Sequence, residues 1–377
     1  MTIYDYLKID RRTGTPIYRQ LLSGLERFCR DYPAETPIPP ERDLSKTLGV
    51  SRTTLRQALR EGCSRGLIVS RWAKGIFVAE QEKRRRILVL LPDSTEISMP
   101  WNYTMPGIEQ RAGELSITVE KMSTTFLRSQ TPGEIEQFLN RERFTGILHM
   151  DHTSWTEAEE MPVLRRLRTP ILFPHSCLHW FRQIPFPMNI VDERRAFRDA
   201  VASMVKMGHT KIVTLAALST SSAIRGYSGG EYSAMLETLG ADPDPELFLK
   251  APYQEDKVAE AIGSLIGQKK EFSAVVCFSD FFAIMAMKAL KAHSLRIPED
   301  VSLMGFCGFP GGEVLTPGLS TIDFHYFRIG RNAVDRLLTI PPDWQNMKMS
   351  ERIAYSPYDV VIRGSMRTRK SGNRKGK

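Results

Sequence analysis

The spacing of hydrophobic positions predicts two short helices near the start of the chain. In residues 15–31, apolar side chains recur every three or four positions, which is the pattern of one buried helical face. The next stretch, 31–40 ("DYPAETPIPP"), holds four prolines and interrupts that pattern. A second helix is predicted over 41–48, because the first turn of a helix tolerates Pro40 and Gly49 suits the helix end.

A third helix is predicted over 52–62, with Ser51 as its N-cap. On a helical wheel its apolar residues share one side, and these are Leu55, Ala58 and Leu59. The neighbouring side offers guanidinium, hydroxyl and amide groups, from Arg52, Thr53, Arg56, Gln57 and Arg60. Such groups reach phosphates and base edges in a major groove. An alternative interpretation is an ordinary solvated face rich in arginine.

Residues 66–80 alternate apolar and polar positions about a turn at 71–75, which predicts a small β-hairpin. Two short helices joined by a three-residue turn form a helix-turn-helix. The hairpin after them reads as a wing.

From residue 86 the pattern changes to short apolar strands that alternate with amphipathic helices. Strands are predicted over 86–92, 116–122, 145–151, 169–176, 211–218, 246–250, 272–278 and 301–306. Helices are predicted over 107–115, 132–142, 156–168, 193–209, 229–240, 256–268 and 280–294. Alternating units of this kind indicate the α/β class, with parallel sheets covered by helices. Two runs of such units predict two similar, doubly wound lobes.

Ligands bind at the carboxyl ends of the strands in open parallel sheets, and between two lobes those ends line one cleft. This rule selects the polar residues that follow the predicted strands. The candidate ligand-binding residues are Asp93, Asp151, His175, Arg225, Ser279, Asp280 and Cys307, with Trp101 and Tyr103 as possible stacking faces. A polyhydroxyl ligand would use both kinds of group. Each residue taken singly could instead be a loop residue or a helix cap, as Asp280 could be for the helix that follows it.

The charge of the chain is concentrated at its two ends. The net charge is +9; residues 1–86 carry +8, residues 363–377 carry +7, and the 276 residues between them carry −6. A basic head on a mildly acidic body points to a polyanionic partner at the head. The tail adds non-specific, salt-sensitive attraction.

Composition and motifs exclude several other classes. No run of 18 apolar residues predicts a membrane span, and the first residues do not form a signal peptide. The five scattered cysteines favour a reducing, cytoplasmic setting without disulfides. The sequence contains no phosphate-binding or nucleophile-elbow motif and no complete metal-ligand set, so an enzyme, a cofactor and a metal are not expected.

The head resembles the winged helix-turn-helix domain of the GntR family of bacterial transcription regulators. The matching stretches are "TPIYRQL", "PPERDLSKTLGVSRTTLRQAL", "RGLIVSR" and "KGIFVAE". The resemblance implies DNA contacts from Arg42, Arg52, Thr53, Thr54, Arg56, Lys74 and Gly75. The wing departs from the family pattern, with Ala73 in place of its first glycine and Ile76 in place of its threonine.

The body resembles the effector domain of LacI-type regulators, which have the fold of periplasmic sugar-binding proteins. The stretches "VDERRAFRDAVASMVKMGHTKIVTL" and "FSAVVCFSDFFAIMAMKALKAHSLRIPEDVSLMGF" carry the resemblance, with "PGLSTIDFHYFRIGRNAVDRLL" and "YDVVIRGS". The resemblance implies a small-molecule effector in the cleft, a homodimer and palindromic operators. Cys307 stands where the family often has an aspartate that grips sugar hydroxyls.

The sequence therefore predicts a winged helix-turn-helix domain (1–80), a linker (81–86), a two-lobed ligand-binding domain (87–365) and a disordered basic tail (366–377). The predicted function is that of a cytoplasmic, dimeric transcription regulator, most consistent with a repressor. Its partners would be double-stranded operator DNA and a carbohydrate effector. The alternatives are a sugar-binding protein of the transport class and a sugar-active enzyme.

Overall fold

The computed structural model describes residues 2–72, 74–79, 85–94, 96–150, 160–176, 186–217 and 227–369. The chain divides into two compact units, Met1–Arg84 (the head) and Arg85–Lys377 (the body). The division falls inside the predicted linker. No helix in the described ranges has the length and apolar character that a membrane crossing requires.

The head is a helical domain closed by a small antiparallel sheet. Its helices are α1 (Ile3–Tyr6), α2 (Ile17–Asp31), α3 (Glu41–Leu48) and α4 (Arg52–Ser64). Its strands are β1 (Pro37–Ile38), β2 (Ile68–Arg71) and β3 (Gly75–Val78), in the order β1-β3-β2. The predicted helices and hairpin are confirmed, whereas α1 and the third strand β1 were not predicted.

Local capping explains why α4 begins where it does. The Ser51 hydroxyl accepts a hydrogen bond from the Thr54 backbone N–H, as an N-cap side chain should. Gly49 ends α3 with a φ of 62°, a left-handed conformation that glycine adopts without strain. Leu55 and Leu59 are buried in the head's core together with Leu44 of α3, so α4 is docked through its apolar side.

The body contains the remaining elements. Its helices are α5 (Trp101–Glu114), α6 (Thr124–Arg128), α7 (Pro132–Glu142), α8 (Met161–Leu164), α9 (Glu193–Lys206), α10 (Gly229–Leu239), α11 (Glu255–Gly267), α12 (Asp280–Ala292), α13 (Tyr326–Leu337) and α14 (Met349–Arg352). Its strands are β4 (Arg86–Leu91), β5 (Thr118–Ser123), β6 (Gly146–His149), β7 (Ile171–Ser176), β8 (Met188–Val191), β9 (Ile212–Ala217), β10 (Phe248–Ala251), β11 (Ala274–Cys277), β12 (Ser302–Met304), β13 (Thr321–Asp323), β14 (Ile353–Ser356) and β15 (Asp359–Val361).

Two parallel sheets form the two lobes, as the alternating pattern predicted. Lobe 1 has the six-stranded order β14-β8-β7-β6-β4-β5, and lobe 2 has the four-stranded order β10-β9-β11-β12. β13 and β15 pair separately as an antiparallel ribbon. Strands such as β4 and β11 are buried almost throughout, because helices cover both faces of a parallel sheet.

The chain passes between the lobes at three places. Ile190 of β8 belongs to the lobe 1 core, while Val191 packs in lobe 2. α13 begins in lobe 2 at Tyr326 and reaches the lobe 1 core with Val334 and Leu337. The chain then adds β14 to the sheet of lobe 1 and returns to pair β15 with β13. A change in the relative position of the lobes would therefore act through these three connections.

Several predicted boundaries in the body were wrong. α5 begins at Trp101, six residues before the prediction, because Pro106 lies inside the helix and hides its continuity in sequence. Of the helix predicted over 156–168, the structure describes a helix only over Met161–Leu164, and residues 151–159 lie outside the described ranges. Strands β8 and β14 were not predicted.

The crossing of α5 and α13 is unusually close, because two glycines face the partner backbone. A Cβ atom at Gly107 would collide with the carbonyl oxygen of Phe327, and one at Gly330 would collide with that of Thr104. We expect Gly107→Ala to lower the free energy of unfolding of the body by about 2 kcal/mol, since the two helices would have to separate. Urea denaturation followed by tryptophan fluorescence measures this value.

Gly113→Ala is the matched control for that substitution. It lies on the same helix, and no atom would lie within 4 Å of its new Cβ. Alanine there should be neutral or stabilising by up to about 1 kcal/mol, because it is the better helix former. Equal effects of the two substitutions would contradict the close-crossing explanation.

Candidate functional site

The exposed face of α4 is the first candidate site. Arg52 and Thr53 open the helix and are both exposed. Among the described residues, neither side chain forms a hydrogen bond or an ion pair, so both can face a partner. Thr54 is half-buried, and its hydroxyl hydrogen-bonds to that of Ser51 at 2.8 Å. The Thr54 side chain thus bonds to the capping residue of the helix, and its contact with DNA stays a prediction.

The second cation of this face is linked to the preceding helix. The Arg56 Nε donates to Glu41 Oε2 at 2.7 Å, which joins α4 to the first residue of α3. More than half of the Arg56 side chain is still exposed, and the remaining guanidinium nitrogens can donate elsewhere. Arg42 is exposed beside this pair. Arg42 thus lies on α3, and Arg52 and Arg56 lie on α4. The ion pair between Arg56 and Glu41 links the two helices.

The hairpin places the predicted wing residues at its tip. Lys74 and Gly75 are exposed, and Gly75 has a φ of 109° that suits the turn. Sequence reasoning missed Trp72, which is 95% exposed at the same tip. Its position in the predicted turn was visible in the sequence, but its exposure was not.

The second candidate site is the edge of the two body sheets at which their strands end. Asp280, which follows β11, lies at this edge. Asp280 begins α12 and is only 2% exposed. Its carboxylate accepts hydrogen bonds from the Thr321 hydroxyl at 2.5 Å and from the Phe309 backbone N–H at 2.6 Å. Burial raises the pKa of Asp280 to about 7, although these donors act in the opposite direction.

Asp280 is therefore engaged inside lobe 2 and does not offer its carboxylate to a ligand in this conformation. It holds the loop after β12 and the strand β13 against the start of α12. Gly305 leaves room for the carboxylate, since a Cβ there would collide with Asp280 Oδ1. In this conformation Asp280 has a positioning role, and its contact with a ligand stays a prediction.

Two other predicted ligand residues are also buried near Asp280. Ser279 is the N-cap of α12, where its hydroxyl accepts from the Phe282 N–H and shares a hydrogen bond with the Tyr253 hydroxyl at 3.0 Å. The helix cap considered for Asp280 is thus supplied by Ser279. Cys307 is buried and has a φ of 103°, which is uncommon for a residue with a side chain.

Aromatic rings from both lobes meet at this edge. The ring of Tyr103 on α5 lies 4.7 Å from that of Phe309, which follows β12. Phe309 stacks on Tyr326 at 5.5 Å, and the edge of His175 approaches Tyr326 at 5.4 Å. Burial raises the pKa of Tyr103, and the negative charge of Asp280 adds to this effect. Tyr103 and His175 thus both contact rings of this aromatic cluster.

The remaining predicted ligand residues are placed elsewhere. Asp93 is exposed and accepts a hydrogen bond from the Ser123 hydroxyl at 2.5 Å, which ties the ends of β4 and β5 together. Trp101 is buried in the lobe 1 core, so its ring offers no stacking face in this conformation. Asp151 and Arg225 lie outside the described residues.

Tyr253 and Phe309 are two residues of this edge that the sequence analysis missed. Both follow a strand, β10 and β12 respectively, so the strand-end rule could have selected them. The Tyr253 hydroxyl hydrogen-bonds to Ser279, and an interaction with Ser98 of lobe 1 links the two lobes. Burial raises the pKa of Tyr253 to about 12, so its hydroxyl remains a donor at neutral pH.

The predicted linker and tail are partly integrated into the body. Arg86 is the first residue of β4 and pairs with Glu120 and Glu142, so its charge is not available to DNA. Met366 is buried in lobe 2, and the Arg369 N–H donates to the carbonyl of Met207. The disorder predicted over 366–377 was therefore wrong for the first four residues, and residues 370–377 lie outside the described ranges.

Two family models match separate parts of the chain. Residues 20–78 match the model described as bacterial regulatory proteins, gntR family. Residues 201–366 match the model of a periplasmic binding protein-like domain. The first match covers most of the head and includes α4, and the second covers most of lobe 2 and two of the three connections to lobe 1.

Curated relatives are transcriptional repressors. The HTH-type transcriptional repressor PurR of Vibrio atlanticus (strain LGP32) is 24% identical over 343 residues, which is 87% of this chain and 98% of that protein. The HTH-type transcriptional repressor CytR of Escherichia coli (strain K12) is 26% identical over 185 residues, which is 49% of this chain and 53% of that protein.

Solved structures share the fold of the body. The Escherichia coli transcriptional repressor ascG superposes with a TM-score of 0.58 at 18% identity, and the match covers 75% of this chain and 99% of that one. A LacI family transcriptional regulator from Arthrobacter sp. FB24, in complex with lactose, superposes with a TM-score of 0.57 at 20% identity, with coverage of 75% and 100%.

Proposed function

We propose that this chain, a DNA-binding transcription regulator with a GntR-type head and a periplasmic binding protein-like body, represses transcription until a carbohydrate effector binds between its lobes. The observation that carries the proposal is the exposed cationic start of α4, where Arg52 and Thr53 project from a helix that Leu55 and Leu59 dock firmly. The uneven charge supports it, because residues 1–86 carry +8. DNA regulation also implies that the chain works in the cytoplasm.

The α4 face would enter the major groove. Arg52, Thr53 and Arg56 would contact base edges, while Arg42 and Lys74 would contact phosphates. The Arg56–Glu41 ion pair at 2.7 Å fixes the angle between α3 and α4 before DNA arrives. A preorganised face reduces the side-chain entropy lost on binding.

The effector would bind at the edge where Tyr103, His175 and Phe309 meet. Aromatic rings offer stacking faces to a sugar ring, and the hydroxyls of Ser279 and Tyr253 offer hydrogen bonds. A structural neighbour of the body was solved in complex with lactose, which supports a carbohydrate effector. The loops that hold Asp151 and Arg225 would complete the site.

A homodimer would place two α4 helices in successive major grooves of a palindromic operator, about 34 Å apart. Exposed apolar side chains on the body support self-association, and they include Ile97 and Ile284. The effector would change the relative positions of the lobes through the three connections between them. Because it binds the two states with different affinity, it would weaken operator binding, typically by about 1–3 kcal/mol.

A selection experiment tests the proposal. The full-length protein is used to select duplexes from a random library, and affinity is measured against salt concentration. We expect sequence-specific binding whose affinity falls steeply with salt, because phosphate contacts release counterions. Failure to select any duplex, or equal affinity for the selected and random duplexes, would refute a role as a specific regulator.

The effector is sought by thermal shift of the full chain against monosaccharides, disaccharides and sugar phosphates. A compound that raises the melting temperature should also lower affinity for the selected duplex. Tyr103→Ala should remove both responses, whereas Tyr355→Ala, an exposed tyrosine on β14, should leave both intact. Stabilisation by a sugar without any change in DNA affinity would argue for a binding protein without regulatory coupling.

A further inference from the structure

The tip of the head's hairpin presents an indole to solvent. Trp72 directly follows β2 and is 95% exposed, which is the highest exposure among the large hydrophobic side chains of the described residues. Buried apolar area is the main source of stability in a small domain, and this side chain contributes almost nothing to it. Its exposure suggests a partner outside the head.

The cation next to Trp72 is withdrawn from the tip. Arg71 makes two hydrogen bonds to the Glu35 carboxylate, at 2.5 and 2.7 Å. Its guanidinium lies 5.6 Å from the centroid of the Phe77 ring, on the face of the sheet. The charge of Arg71 is therefore compensated within the head, whereas the exposed side chains of Trp72 and Lys74 have no such partner among the described residues.

Strand register places this tip on the same side of the head as the start of α3. Ile76, next to the tip, pairs with Ile38 of β1, and α3 begins three residues after Ile38. The first residue of α3, Glu41, forms the ion pair with Arg56 of α4. The tip and the cationic face of α4 are thus linked through the pairing of β3 with β1, the start of α3 and the ion pair between Glu41 and Arg56.

We propose that Trp72 is an apolar wedge that enters the minor groove of the operator, next to the major groove occupied by α4. This inference rests on the proposed DNA binding and adds to it a contact that is apolar rather than cationic. The minor groove is about 6 Å wide, which suits the thin edge of an indole better than a helix. Apolar side chains at such positions partly unstack a base step and bend the duplex. Lys74 supplies the phosphate contact beside it.

Two substitutions test the role of the indole in the full-length protein with the selected duplex. Trp72→Ala should lower affinity by about tenfold, because the aromatic contact with the bases is lost. Trp72→Phe should stay within about threefold of the original affinity, since it keeps an apolar ring. Neither substitution should change the urea midpoint, because the side chain is solvated in the unbound protein. Unchanged affinity of Trp72→Ala would overturn the proposal.

Fluorescence reports the position of the indole directly. Trp72 is the only tryptophan among residues 1–84, so the difference between the spectra of the original protein and of Trp72→Phe isolates its emission. We expect emission of a solvated indole without DNA, and quenching when the selected duplex is added. Emission of a buried indole before DNA is added would show that Trp72 docks on protein, and would contradict the proposal.

Modified base pairs identify the groove. Replacing adenine by 2-aminoadenine adds an amino group in the minor groove and leaves the major-groove edge unchanged. At the pairs beside the α4 site, this change should weaken binding of the original protein and have little effect on Trp72→Ala. Equal loss for both proteins would place the indole outside the minor groove. If the original protein selected no duplex at all, DNA binding itself would fail, whereas normal binding with an inert Trp72 would refute only the wedge.

Discussion

Replacing Arg52 by alanine is expected to lower affinity for the selected operator by about 10- to 100-fold, or 1–3 kcal/mol. Arg52 is the first residue of α4 and is exposed, so its guanidinium can form two parallel hydrogen bonds to a guanine edge. Because Ser51 rather than Arg52 caps the helix, alanine should not weaken α4 itself. Titration of the labelled duplex by fluorescence anisotropy measures the loss.

Arg65→Ala is the matched control for Arg52→Ala. It removes the same charge from the same head, but Arg65 follows the end of α4 and pairs with Glu26 and Glu61. Its effect on affinity should be small, because these pairs are half-exposed and already compensate its charge. Equal losses for Arg52→Ala on selected and random duplexes would show that Arg52 contacts phosphate and reads no base.

Replacing Asp280 by alanine is expected to destabilise the body by about 3 kcal/mol, because it leaves the buried Thr321 hydroxyl and Phe309 N–H without their acceptor. The head is a separate compact unit, so operator binding should persist at temperatures where the body remains folded. The response to the effector should be lost, since Phe309 carries one of the rings at the proposed site. Urea denaturation and anisotropy with and without effector measure these two results.

The titration of Asp280 should make the free energy of unfolding depend on pH. A simple loss of packing would not produce this dependence. The native pKa is about 7 and the ordinary value is 3.8, so the native state holds a proton that the unfolded state releases between these values. The free energy of unfolding should therefore fall as pH rises through this range, by about 2–3 kcal/mol between pH 5 and pH 8.

Asp280→Asn tests that pH dependence, because the amide does not titrate. The difference between the original protein and this variant should shrink or reverse as the pH rises from 5 to 8. A constant difference across this range would show that Asp280 is ionised throughout in the native state. A full effector response in Asp280→Ala would instead remove Asp280 from the positioning of the effector site.

The structure of the head was largely predictable because its signals are local. The cap at Ser51, the turn at Gly49 and the spacing of Leu55 and Leu59 all act within a few residues of each other. The exposed cationic face of α4 follows from that spacing, since an apolar stripe fixes which side of a helix is buried. Thr54 is the exception on this face, because its half-buried hydroxyl bonds to the Ser51 hydroxyl at the helix cap.

The effector edge was less predictable because its residues meet through distant parts of the chain. The strand-end rule selected His175 and Asp280, but it could not say which of them would be buried. Asp280 is engaged by Thr321, which is 41 residues away in sequence. Trp101 was absorbed into the lobe 1 core once α5 extended past Pro106.

By itself, the sequence determined the α/β class, the winged helix-turn-helix head and the face of α4, because periodicity and capping are short-range. Only the tertiary structure decided that β14 joins the sheet of lobe 1 and that the Asp280 carboxylate is hydrogen-bonded within lobe 2. It also decided that Arg71 pairs with Glu35 while the Trp72 side chain is exposed to solvent. Strand insertion, burial and ion pairing depend on which distant segments meet, and packing settles that after the local elements have formed.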